Sequence, residues 1–177
     1  SLLNKVGAEV SVGQAIGMRD ETAAHNFATH NITLSLIVSA GWALILFSLA
    51  PFIIRFYELE EHIASNAINY LRIVSTAFPF VFMSAAFTGI FNAGGRSKIP
   101  FSINGIGLVI NMILDPLFIF VFDWKTDGAA LATWIAQACV FGLFVYHLKF
   151  KKILWEDFRF FGRLKRLYTT KIIKIGL

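Results

Sequence analysis

Within the apolar run Ile99–Phe122 the only charged side chain is Asp115, and Pro116 follows it directly. A run of that length is what one helix needs to cross a bilayer. A carboxylate inside such a helix is costly, and it marks a functional position that faces protein or water instead of lipid. Pro116 has no N–H to offer the carbonyl of Met112, so a backbone acceptor is freed within one turn of the carboxylate. Asn111 stands one turn before Asp115 and shares its helix face. Carboxylate, amide oxygen and freed carbonyl are all hard oxygen donors, suited to a small cation or a proton.

A further oxygen comes from across the next turn. Asp115 lies nine residues before Trp124 and Thr133 nine residues after it. On two antiparallel helices of equal rise this places the pair at similar depth. The Thr133 hydroxyl can accept from a protonated carboxyl or coordinate a cation. Each residue also has a blander reading. Asp115 is seven residues from the end of its span and could reach towards water. Thr133 could bond its own helix backbone, as Thr commonly does. Asn111 could be an ordinary interhelical hydrogen bond. The coincidence of all three with Pro116 is what makes a site.

The elements that must position these groups are long apolar runs: Ile32–Ile54, Ile73–Gly95, Ile99–Phe122 and Gly128–Leu148. Each is long enough to span a bilayer. Of the 177 residues, 56% are hydrophobic and 15% charged, against roughly 25% charged in soluble domains. The expected class is therefore all-α, a polytopic transmembrane bundle. Spans are expected at about 31–54, 63–93, 99–122 and 128–148, preceded by a helical segment up to about Met18. Arg19-Asp20-Glu21 marks a loop, Pro79 a kink, Gly94-Gly95 a helix stop, and Thr126 or Asp127 an N-cap.

Nine of the 16 basic residues lie between Lys149 and Lys174. Together with Arg19, Arg96 and Lys98 they put twelve Lys and Arg on alternate loops, against Arg55 and Lys125 on the others. The basic set is the cytoplasmic one. Leu154, Phe158, Phe161, Leu164 and Tyr168 recur every three or four residues among basic side chains, the pattern of a helix lying in the cytoplasmic interface. Beside a membrane span such charge reads as facing anionic lipid, and no nucleic-acid partner is expected. The chain opens at Ser1 without an initiator Met and closes at Leu177 in a new apolar segment, so it reads as a fragment.

Other signals carry less. Gly94-Gly95-Arg96-Ser97-Lys98 lacks the phosphate-loop spacing. Gly13 to Gly17 is a GxxxG packing pattern. His25, His30, His62 and His147 lack metal-ligand spacing and are expected at the interfaces. Cys139 is the only cysteine, which excludes a disulfide framework. No nucleophile–base or paired-carboxylate set points to an enzyme, and no cofactor is implied.

Certain blocks resemble a known family. Gly7-Ala8-Glu9-Val10 with Gln14-Ala15-Ile16-Gly17, then Asn92-Ala93-Gly94-Gly95, then Asn111 to Phe120 (NMILDPLFIF), then Gly128-Ala129-Ala130-Leu131-Ala132-Thr133 resemble the multidrug and toxic compound extrusion (MATE) transporters. The resemblance implies part of helix two through helix six of a twelve-helix exporter. Residues 1–148 would belong to the first six-helix lobe, 149–170 to the cytoplasmic linker between lobes, and 171–177 to the start of the next transmembrane helix. It also implies a cation-coupled antiporter, driven by H⁺ or Na⁺, that expels organic and often cationic compounds. In some members an Asn and an Asp on helix five and a Thr on helix six hold the cation. Asn111, Asp115 and Thr133 match those positions, and would be metal ligands only if the ion is Na⁺. The expected partners are a small organic substrate, the coupling cation, the bilayer and a second lobe. The expected location is the bacterial inner (plasma) membrane. Two competing readings are a lipid-linked oligosaccharide flippase of the same superfamily, which the scarcity of basic residues in the spans disfavours despite Arg72, and a non-transporting membrane scaffold.

Overall fold

The computed structural model describes residues 2–151 together with residues 170 and 172. Five helices follow one another through loops of three to five residues: α1 Leu2–Gly17, α2 Glu21–Arg55, α3 Glu61–Ala93, α4 Lys98–Pro116 and α5 Lys125–Lys149. A π turn, Leu117–Val121, extends α4 outward. Short loops between packed helices make each neighbour antiparallel to the last. Arg19, Arg96 and Lys98 therefore gather at one end of the bundle, named the inner end from the positive-inside expectation, and the acidic Glu58, Glu60, Glu61, Asp123 and Asp127 at the other. Four of the helices are long and apolar enough to cross a membrane: α2, α3, α4 with its π turn, and α5.

Helix ends follow local chemistry. The Asp20 carboxylate accepts from the Ala23 N–H at 2.8 Å and caps α2, satisfying one of the donors that a first turn leaves orphaned. The expected loop at Arg19-Asp20-Glu21 is thus only its hinge. The helix starts ten residues before the expected span at Asn31, because the polar stretch from His25 to Asn31 is buried against α1 and not in lipid. His30, expected at an interface, is 4% exposed, with its Nδ1 2.7 Å from the Asn26 carbonyl. At the other end of α3, Gly95 takes φ +70°. The Arg96 N–H reaches the Phe91 carbonyl at 2.9 Å, and the Gly95 N–H reaches Asn92. Two orphan carbonyls are closed by a left-handed residue, which glycine adopts most cheaply.

Helix α3 is the axis: it touches each of the other four helices. The core sits in the inner half. It joins Ala8, Val12 and Ala15 of α1, Phe27 and Ile32 of α2, Phe87, Ile90 and Phe91 of α3, and Phe144 and Leu148 of α5. An aromatic ladder ties α3 to α5. Phe80 meets Trp134 edge-on at 5.3 Å, Phe87 stacks on Phe144 at 5.7 Å, and Phe91 lies 5.9 Å from Phe144. Partner numbers rise together, as two parallel helices require. The sixteen residues of α1 span about 24 Å and pack along the inner halves of α2 and α3.

Helices in lipid associate through close packing of small residues. The tightest approach between α1 and α3 is at Gly89, where a Cβ would collide with the Lys5 carbonyl and press on Ala8. The GxxxG pattern contributes less: Gly13 is in ordinary contact with Ala93, and Gly17 meets nothing within 4 Å. Above Gly13, the Glu9 carboxylate accepts from the Asn92 amide across the same interface at 3.5 Å. The basic segment 152–169 and most of 171–177 lie outside the described residues. Ile172 is described, is 3% exposed and packs on Gly7.

Gly89→Val in the intact protein should lower the melting temperature in detergent by several degrees, through about 1–3 kcal/mol of overpacking. Gly17→Ala should leave it unchanged. Indistinguishable melting curves for the two variants would show that α1 and α3 do not depend on this contact.

Candidate functional site

Helices α4 and α5 are pinned together at two glycines. At Gly107 a Cβ would run into the side chain of Val140, and at Gly128 it would sit 2.9 Å from both the Cβ and the carbonyl oxygen of Phe118. Around the first of these contacts the helices leave a cavity of about 240 Å³, with Gly107 and Val140 in its wall. Asn104 and Asn111 line it from α4, and Thr133 and Gln137 from α5. Four polar side chains thus line one cavity between the two spans.

Asn111 donates from its amide nitrogen to the Asp115 carboxylate at 3.4 Å. That bond uses the nitrogen and leaves the amide oxygen, the better cation ligand, uncommitted by it. The Thr133 hydroxyl donates to the Ala129 carbonyl one turn back at 3.0 Å. The bland expectation for Thr133 is therefore realised for its proton, while its oxygen keeps its lone pairs on the cavity wall. Asn104 likewise donates to the Pro100 carbonyl at 2.7 Å.

The three sequence-predicted residues are brought together unevenly. Asn111 and Thr133 share the cavity. Asp115 is half-buried, sits one turn outward of Asn111, and is tied to it by the hydrogen bond. The cause is the turn. Its centre is Asp123, midway between the end of the π turn at Val121 and the start of α5 at Lys125, and not Trp124. This moves Thr133 inward relative to Asp115 and brings it nearer Asn111. The expected N-cap at Thr126 or Asp127 is also displaced. α5 begins at Lys125 with Trp124 before it and no side-chain cap. Asp123 and Lys125 take positive φ, and the Trp124 ring lies 5.3 Å from both Phe118 and Phe122. An aromatic cluster closes this turn instead of a capping carboxylate.

Pro116 does not end the helix abruptly. Its own dihedrals are helical, and the chain passes into the π turn, where the Phe122 N–H reaches the Leu117 carbonyl at 3.1 Å and the Trp124 N–H the Phe118 carbonyl at 3.0 Å. π turns of this kind occur often at functional sites. Sequence reasoning did not single out Asn104 or Gln137. Their signal was spacing: Asn104 precedes Asn111 by two turns, and Gln137 follows Thr133 by one. Among the described residues no three His, Cys, Asp or Glu side chains gather as metal ligands. A cation here would rest on one carboxylate and neutral oxygens.

The family model described as MatE matches residues 2–117. Among curated proteins, the chain is 28% identical over 150 residues to the probable multidrug resistance protein YoeA of Bacillus subtilis (strain 168), covering 82% of this chain and 32% of that one. It is 39% identical over 80 residues to Protein DETOXIFICATION 42 of Arabidopsis thaliana, covering 45% of this chain and 16% of that one. The chain spans about a third of the length of YoeA. Among solved structures, an inward-facing multidrug resistance MATE family transporter of the MOP superfamily superposes with a TM-score of 0.90 at 24% identity, covering 99% of this chain and 40% of that one. A MATE crystal structure in complex with MaL6 superposes with a TM-score of 0.92 at 24% identity, with 99% and 39% coverage. The order of helices, the four spans and the match over more than half its length make this chain an integral membrane protein that belongs to the multidrug and toxic compound extrusion family, whose members are transporters and not enzymes.

Proposed function

We propose that this chain forms part of the first lobe of a cation-coupled antiporter that exports organic, often cationic, compounds across a bacterial inner membrane. The observation that carries the reading is the Asn111–Asp115 hydrogen bond at the rim of a polar cavity shared with Thr133. A lone carboxylate in a span needs a counter-charge or a proton. Alternate occupancy by H⁺ or Na⁺ and by nothing gives Asp115 two states with different local charge. The π turn supports the second half of the reading. It lies directly beyond Asp115, and an i→i+5 ladder can revert to i→i+4 with a rotation of the outer helix end. Cation binding at Asp115 would then favour one packing of α4 on α5. That packing would bias the rocking of two lobes around a central substrate, as alternating access requires.

Glycines 107 and 128 serve as the fixed points of that motion. Thr133 and Gln137 act as neutral oxygens that exchange with water as the ion arrives. The names of the relatives, multidrug resistance proteins among them, support an organic substrate for the whole protein.

Asp115→Asn should abolish ion-driven efflux in vesicles while the protein reaches the membrane in normal amount. In the parent protein, Asp115 should react with a membrane-soluble carbodiimide, and Na⁺ or a raised proton concentration should change the rate. Efflux by Asp115→Asn at the parent rate would end the coupling role. A second measurement addresses the cavity. In a Cys139→Ala background, Asn104→Cys and Gln137→Cys should react with a charged thiol reagent about tenfold faster than Met112→Cys, since only water-exposed thiols ionise. Met112 is 66% exposed and does not line the cavity. Equal rates at all three would mean that the cavity is dry.

A further inference from the structure

Every residue of α2 from Phe27 to Ile32 is buried, and none of the six is more than 6% exposed. Successive residues step round a helix axis by about 100°, so six in a row cover every side of it. Among the described helices α2 touches α1 and α3, and these two also touch each other. Neighbours in mutual contact take up one side of a helix. The other side of this stretch is therefore covered by something further. Farther out on α2 that cover is missing: Ile37, Trp42, Leu44, Ile45 and Phe47 are 43% to 69% exposed.

Ile172 identifies the cover. It belongs to the same buried cluster as Ala8, Val12, Phe27 and Ile32 and is helical, as is Thr170. A Cβ on Gly7 would lie 3.2 Å from the Ile172 Cγ2 atom and 3.6 Å from the Asn31 amide nitrogen. Ile172 thus sits at the seam where α1 meets α2. Gly7 is ten residues outward of Gly17, about 15 Å from the inner end of α1, so the contact lies within the bundle and not on its rim. Thr170, two residues earlier, is exposed.

The seam is polar where the rest of the core is not. Of the eight buried polar residues described, six stand on α1 or α2: Ser11, Thr29, His30, Asn31, Ser35 and Ser39. The contact of α3 with α5 is built from aromatic rings instead. On the seam, Ser11 donates to the Gly7 carbonyl at 2.5 Å and Ser35 to the Asn31 carbonyl at 2.7 Å. Bonds within one helix survive the departure of a neighbour, and a polar surface accepts water when uncovered. Contacts within a chain that come apart are more polar than permanent ones. We propose that the α1–α2 seam is a docking surface for the element that carries Thr170 and Ile172, and that the docking is reversible. Ile172 is its apolar anchor and Gly7 the seat, and the element leaves and returns while α1 and α2 stay folded. The inference stands on the packing at Gly7, whether or not Asp115 binds an ion.

Single cysteines in a Cys139→Ala background test both halves of the proposal in the intact protein. A charged methanethiosulfonate is the probe. Thr170→Cys sets the exposed rate, and Ala86→Cys, at a position 0% exposed in the core, sets the buried one. Ile172→Cys should react about tenfold more slowly than the first and about tenfold faster than the second, as a site that opens locally does. A rate equal to that of Thr170→Cys would mean that Ile172 is not docked. A rate equal to that of Ala86→Cys would mean that it never leaves. Either result overturns the proposal. Paired cysteines locate the seat. Oxidation with copper phenanthroline should link Ile172→Cys to Gly7→Cys from the α1 side and to Asn31→Cys from the α2 side. It should not link Ile172→Cys to Gly17→Cys, which has nothing within 4 Å. The two seam pairs substitute different helices, so one misfolded variant leaves the other to decide. Failure of both pairs to link would place Ile172 elsewhere and overturn the docking.

Discussion

The constraint on which this structure depends is that hydrocarbon offers nothing to a hydrogen bond. Every polar group in the spans must find its partner within the protein. Most do so in the cheapest way, by bonding a carbonyl one turn back on their own helix. Thr33, Ser35, Ser75, Thr88, Asn104 and Thr133 each donate to the carbonyl four residues earlier. These side chains are self-contained. They let a helix carry polarity without committing it to a neighbour, and so leave helix packing to glycines, alanines and aromatic rings.

Against that background the groups that do not close on their own carbonyls stand out. Asn92 reaches Glu9 across the α1–α3 interface. Asn111 reaches a side chain and not a backbone oxygen. Arg72 keeps an unmet Nε. The first is a clamp in the tightly packed inner half. The other two lie towards the outer half. The inner half holds the phenylalanine ladder and the Gly89 contact, and the outer half holds the Asn111–Asp115 pair and Arg72.

Hydropathy reads length well and partners poorly, and the record of the sequence reflects this. The spans expected at 63–93 and 99–122 differ by one or two residues from α3 and α4 with its π turn. The Gly94-Gly95 stop was legible because only a left-handed residue closes such an end. The first ten residues of α2 were not, since His25, Asn26, His30 and Asn31 depress hydropathy while α1 covers them. Asp20 did carry a capping signal, yet next to Arg19 and Glu21 it resembled a loop. At the site, the one-turn spacing of Asn111 and Asp115 translated directly into a hydrogen bond. The depth of Thr133 was off because the turn is centred on Asp123, one residue before Trp124, a shift that leaves no mark in composition. Asn104 and Gln137 were hidden because an amide in a span acquires meaning only from what stands opposite it.

The π turn at Leu117–Val121 has one more consequence. Each of its rings encloses one residue more than an α turn would, so this stretch of chain holds slack that the rest of α4 does not. Losing a residue here would tighten the ladder to the common geometry and leave everything inward of Pro116 in register. Losing one anywhere between Lys98 and Asp115 would instead rotate Asn111 or its neighbours away from α5. Within the span, variation in chain length between related proteins therefore has a natural place to accumulate, at the outer rim and within one turn of the carboxylate.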